Sequence, residues 1–124
     1  MLGLNTATGQ PSASARVYQS RYRELKSKAI DLMERARGCQ EKGPALLQEA
    51  LAITKLVHRL QEEATREANE RAPRDKSLLL VSQACEALDF TLLVVDSFID
   101  THDRSFLQLA RQGVSLMDST EQFF

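Results

Sequence analysis

The side chains best equipped for chemistry in this 124-residue chain are two histidines, His58 and His102, and two cysteines, Cys39 and Cys85. Neither histidine follows a glutamate by three residues, so the Glu-x-x-His pairs that hold metal in carboxylate-bridged bundles are missing. The cysteines are far apart and form no Cys-x-x-Cys or Cys-His motif, which reads as free thiols in a reducing compartment. No glycine-rich phosphate loop occurs, and serine, histidine and aspartate without a shared geometry do not make a nucleophilic triad. The sequence therefore nominates no catalytic, cofactor-binding or metal-ligating residue, and the expectation is a protein that is not an enzyme. His58 has Glu62 one turn further on, the spacing of a solvated helix-surface pair. His102, between Thr101 and Asp103, reads as a turn residue that could act as a pH-sensitive cap.

Charge supplies a second set of candidates. Residues 1–43 hold eight Lys or Arg against four acids, whereas residues 78–124 hold two against seven. Arg21, Lys28, Arg35 and Lys42 recur every seven positions, beside an apolar seam, and Asp89, Asp96 and Asp103 repeat at the same interval. The two fields either pair inside the molecule, by packing of the first helix on the third or fourth, or orient a helical partner protein. A third candidate is apolar. Leu79, Phe90 and Leu93 point to the side of their helix that carries Glu86, Asp89 and Asp96, a mixture expected of a contact surface. Phe123 and Phe124 either fold back on the core or form a short docking peptide.

These residues must be positioned by helices, because no strand-like alternation is present. Breaks at Gly43-Pro44, Pro73-Arg74-Asp75 and Thr101-His102-Asp103 divide residues 15–124 into four blocks. The first carries Tyr18, Tyr22, Leu25, Ala29, Leu32, Ala36 and Cys39 at spacings of four and three, with Ser14 as candidate cap. The second opens with Pro44 in its first turn and runs Leu46, Ala50, Ile53, Val57, Leu60 and Ala64.

The third, capped by Asp75 or Ser77, has two seams: Leu78, Val81, Cys85, Leu88, Leu92, Val95 and Ile99, and beside them Leu80, Ala84, Ala87, Val94 and Phe98. Its apolar arc covers about half the circumference, more than a surface helix needs, so it should be the most buried helix. The fourth, capped by Thr101 or Asp103, places Phe106, Leu107, Leu109, Ala110, Val114 and Met117 on one side. Short connections favour antiparallel neighbours, so the predicted fold is all-α, an antiparallel (up-down-up-down) four-helix bundle in one domain, residues 15–124, after a flexible tail, residues 1–14. In such a bundle Cys39 and Cys85 stand roughly 20 Å apart along the axis, too far for a disulfide.

Composition narrows the function. The chain is 43% hydrophobic and 27% charged, with net charge −1 and pI 6.1, which gives no bulk electrostatic case for nucleic acid or anionic membrane. The apolar window Leu78 to Ile99 is long enough to span a bilayer, but Glu86, Asp89 and Asp96 inside it favour a helix buried in protein. The first fourteen residues lack the basic start and apolar run of a secretory signal, so the expected location is cytoplasmic.

Residues 29–60, with Ala29-Ile-Asp-Leu-Met-Glu-Arg-Ala36 and then Ala45-Leu-Leu-Gln-Glu-Ala-Leu51, resemble the helical hairpins of microtubule-interacting-and-transport and tetratricopeptide-type modules, which bind peptides or helices. The likeness covers about a quarter of the chain, and Ile53-Thr54 stand where those modules usually have an aromatic residue, so no family follows from it. The reading is a noncatalytic helical protein-protein interaction module without a cofactor: an adaptor, small chaperone or regulatory subunit, self-associating as a homodimer. The alternatives are an inhibitory or toxin-neutralising protein, or a carrier or enzyme with a cavity between helices.

Overall fold

A computed structural model describes residues 13–38, 43–70 and 75–124. Among these residues are four helices: α1 (Ala13–Gly38), α2 (Gly43–Glu70), α3 (Lys76–Thr101) and α4 (Ser105–Glu121). The expected tail up to residue 12, the break at Pro73, and the candidates Cys39 and Lys42 lie outside the described residues. Helix α1 begins at Ala13, so Ser14 sits in its first turn rather than capping it, and the helical unit starts two residues before the predicted boundary; alanine, the strongest helix former, extends the helix backwards.

Pro44 occupies the first turn of α2, where its missing N–H leaves no bond unmade. Asp75 caps α3 by accepting hydrogen bonds from the Ser77 and Leu78 N–H groups at 2.9 and 3.3 Å. The helix ends on His102, the one non-glycine residue of positive φ among those described (59°), whose N–H donates to the Phe98 carbonyl at 2.7 Å. Asp103 then opens α4: its carboxylate accepts from the Ser105 N–H at 3.0 Å and the Ser105 hydroxyl at 2.8 Å, and these bonds hold its pKa below the usual aspartate value.

Cross-helix contacts fix the directions. Between α2 and α3, Thr65 meets Ser82 at 2.8 Å and His58 meets Asp89 at 2.8 Å, so one number falls as the other rises. Between α1 and α2, Arg21 pairs with Glu63 and Arg35 with Glu49; between α1 and α4, Arg23 pairs with Glu121 and Lys26 with Asp118. Every sequential pair is antiparallel, as the periodicity predicts, and the fold is an all-α four-helix bundle. Helix α3 is its centre, packing on α1, α2 and α4.

The seams of α2 and α3 are buried as expected, from Leu46 to Ala64 and from Leu78 to Ile99. The second seam of α3 is buried at Ala84, Val94 and Phe98 and half-buried at Leu80 and Ala87. In α1 the seam is buried from Tyr22 to Ala36, with Tyr18 half-covered. In α4 the inward positions are Leu107, Ala110, Gly113 and Met117, and Leu109, placed inside by the periodicity, is exposed.

Gly113 is the physical reason. A Cβ built there would stand 2.1 Å from Thr91 Oγ1 and 3.2 Å from Thr91 Cβ, so the α3 and α4 backbones meet closely at this residue and Leu109 falls on the flank of the contact. Thr91 cannot easily retreat: it is buried and its hydroxyl donates to the Ala87 carbonyl at 2.8 Å. Gly113→Ala should therefore destabilise the protein, by about 1–3 kcal/mol as overpacking does, despite the better helix propensity of alanine. Adding Thr91→Ala should return part of that loss, so that the two changes are non-additive in chemical denaturation. A Gly113→Ala variant as stable as the parent would contradict the close approach.

Candidate interaction surface

The basic stripe of α1 lies on the flank that faces α2. Arg21 pairs with Glu63 at 2.6 Å and lies over the Tyr18 ring, 5.4 Å from its centre. Arg35 bridges Asp31, at 3.0 Å on its own helix, and Glu49 on α2. Lys28 is exposed and makes no ion pair among the described residues; it borders a groove with Asp31, Arg35, Glu49, Ile53 and Leu56. The stripe thus meets the acids of α2, not Asp89, Asp96 or Asp103, because its angular position on α1 turns it away from α3 and α4.

The attraction between α1 and the acidic end of the chain runs instead through residues outside the stripe. Lys26 bridges Asp118 at 2.6 Å and Glu121 at 2.7 Å, and Arg23 reaches Glu121 at 3.3 Å. Burial would lower the Lys26 pKa, but the hydrogen bonds to both carboxylates outweigh it and the net direction is up. A signal for this network was available: basic residues three apart, Arg23 and Lys26, match acidic residues three apart, Asp118 and Glu121.

The apolar candidates separate. Leu79 is half-buried against the small cluster of Ala15, Ala68 and Leu78, and borders a groove with Lys76, Leu80, Gln83 and the exposed Phe123. Phe124, by contrast, folds back: its ring meets Tyr22 edge-on at 5.5 Å, and its carbonyl accepts from Gln19 Nε2 at 3.4 Å. Phe90 and Leu93 lie further along α3, 41% and 64% exposed. Eleven positions of helix, roughly 16 Å of rise, divide Leu79 from Phe90, so the three share a direction but not a patch.

Phe90 and Leu93 have other apolar neighbours. Leu93 lines a groove of about 300 Å³ with Ala50, Leu51, Thr54, His58, Asp89, Leu92 and Asp96, and Leu51 is 56% exposed. On the other flank Phe90 lies against Gly113, its ring 3.4 Å from where a Cβ would stand, and Leu109 and Leu116 precede and follow that glycine by one turn with their side chains exposed. Leu51, Leu93, Phe90, Leu109 and Leu116 therefore form a strip across α2, α3 and α4. Sequence reasoning missed Leu51 and Leu116, whose signal was that each is a large apolar residue outside its helix's seam.

His58 Nε2 contacts Asp89 Oδ1 at 2.8 Å, so its partner is across the groove on α3 and not Glu62 on its own helix. Among the described residues no cluster of three or more His, Cys, Asp or Glu could hold a metal ion. The Tyr22 hydroxyl is buried without a hydrogen-bond partner among the described residues, and burial, with Glu121 nearby, raises its pKa. Cys85 is a free, fully buried thiol; burial pushes its pKa up to about 12 even though Arg21 opposes the shift.

The fold and site define an antiparallel helical bundle with a mixed apolar and acidic outer face. No protein-family model, curated protein or solved structure matches the chain. By length and composition α3 could cross a membrane, with mean hydropathy 1.8 in its most apolar window, half of which is buried inside the protein.

Two outcomes follow. Arg35→Glu should lower stability by about 1 kcal/mol, less at high salt, whereas Lys28→Glu should leave the thermal midpoint unchanged. Equal effects of the two reversals would contradict the pairing pattern. In a Cys39→Ser background, Cys85 should resist a thiol reagent in the folded protein at mildly alkaline pH and react at once on unfolding, since the protonated thiol is a poor nucleophile. Rapid labelling of the native protein would contradict its burial.

Proposed function

We propose that the chain is a noncatalytic helical protein-protein interaction module, of the adaptor or regulatory-subunit kind, which self-associates through the outward face of α3. The observation that carries this reading is the strip of Leu51, Leu93, Phe90, Leu109 and Leu116, at least 38% exposed at every member and crossing three helices. Exposed leucines scattered singly need no explanation, but a strip borne on neighbouring helices beside acids is the composition of a contact face. A closed two-fold dimer needs only one such face, because the same patch serves both copies. The five lie outside the cluster of buried residues and the half-buried hydrophobics packed on it, which supports a role at the surface.

The test is a double substitution, Phe90→Ser with Leu93→Ser, followed by light scattering and circular dichroism on the same sample. The expected result is a dimeric parent and a monomeric variant of unchanged helicity. Loss of helicity would make these residues part of the core, where such changes cost about 2–5 kcal/mol each, and a parent that is monomeric at high concentration would overturn self-association.

A further inference from the structure

The two rims of the groove between α2 and α3 carry opposite charge. On the α3 side stand Glu86, Asp89, Asp96 and Asp100, and from Ser77 to Asp103 there is no lysine or arginine. On the α2 side, Lys55 follows Leu51 by one turn and so shares the face beside the groove, with Arg59 and Arg66 further along; Glu62 and Glu70 stand beside Arg66, and Glu63 is turned to Arg21 of α1. Lys55, Arg59 and Arg66 are exposed, and none forms an ion pair among the described residues. Among the described residues the contact between ionisable side chains of the two helices is His58 with Asp89, Glu86 accepts from Gln61 at 3.5 Å, and Lys55, Arg59, Glu86 and Asp100 are exposed.

Resting on the self-association proposed above, we infer that two copies pair along this groove about a two-fold axis parallel to α2 and α3, so that α2 of each copy lies over α3 of the other. Such an axis preserves height along the bundle. His58 is level with Asp89, so the adjacent Arg59 of one copy comes opposite Asp89 of the second. Lys55, one turn from His58 on α2, comes level with Leu92 and Leu93, between Asp89 and Asp96 of the second copy. Leu51 and Leu93 of one copy meet Leu93 and Leu51 of the other at the centre. An axis running across the helices instead would set α3 on α3 and α2 on α2, placing acids on acids and bases on bases, which electrostatics disfavours.

The experiment measures the dimer dissociation constant by sedimentation for the full chain, for Lys55→Glu, for Asp96→Lys, for an equimolar mixture of the two, and for the variant carrying both. Each single reversal should weaken the dimer about tenfold or more, and high salt should weaken the parent. The mixture and the double variant should recover, because in each every reversed charge again meets its opposite. Folded single variants that keep the parent's affinity, or a mixture that fails to recover, would overturn the arrangement. A dimer that ignores Lys55 and Asp96 but dissociates on the Phe90 and Leu93 changes would overturn the arrangement alone. A parent that never dimerises would overturn self-association with it.

Discussion

Everything in this bundle depends on the excess apolar surface of α3. Its buried residues include both Val81 and Val94, Leu88 and Phe98, positions that no single neighbouring helix could cover. Water is kept from such a wide arc only when other helices pack on it from several sides, and α1, α2 and α4 do so. The three outer helices need far less coverage for themselves: α2 and α4 each bury one stripe, and α1 buries a stripe built largely from alanine, leucine and tyrosine. The order of helices along the chain then becomes natural, since α3 lies between the two partners to which short connections tie it.

The means of attachment differ around that centre. Helix α4 approaches through Gly113, where the backbones come together and Thr91 is locked by its own hydrogen bond. Helix α2 is joined by a ladder of polar side chains along the outer groove, Thr65 with Ser82, Gln61 with the Ser82 carbonyl and His58 with Asp89. Helix α1 is held at its edges by charge, Arg21 and Arg35 towards α2 and Arg23 and Lys26 towards α4. Exposed ion pairs contribute little individually, so those charges set the rotation and register of α1 more than its stability, which comes from Tyr22, Leu25 and Leu32 beneath them.

The sequence was most legible where one helix decides its own fate. Apolar residues three and four apart marked the seams of α2 and α3 because a helix presents them on one side whatever lies opposite, and Asp75 announced its cap by its place before the run. What depended on two helices was hidden. The heptad stripe Arg21, Lys28 and Arg35 had a visible spacing, but which acids it met required the rotation of α1 about its axis. Leu79, Phe90 and Leu93 fall on one side of α3 by a helical wheel, yet the wheel removes the axial distance that divides Leu79 from the others. Leu109 failed for a related reason: the closest approach at Gly113 fixes which line of α4 faces inward, and a glycine carries no hydrophobic signal of its own.

The close approach at Gly113 also has a consequence for recognition. Position 113 has no side chain and sets its backbone against the Thr91 side chain, itself held by a hydrogen bond to the Ala87 carbonyl, so the spacing of α3 and α4 is fixed at a short, rigid side chain and not at flexible ones that could repack. Phe90, Leu109 and Leu116 are displayed from two rods already locked at one separation. If this face docks on a second copy as proposed above, it is preorganised for that contact, and little conformational entropy of α3 and α4 is lost on binding.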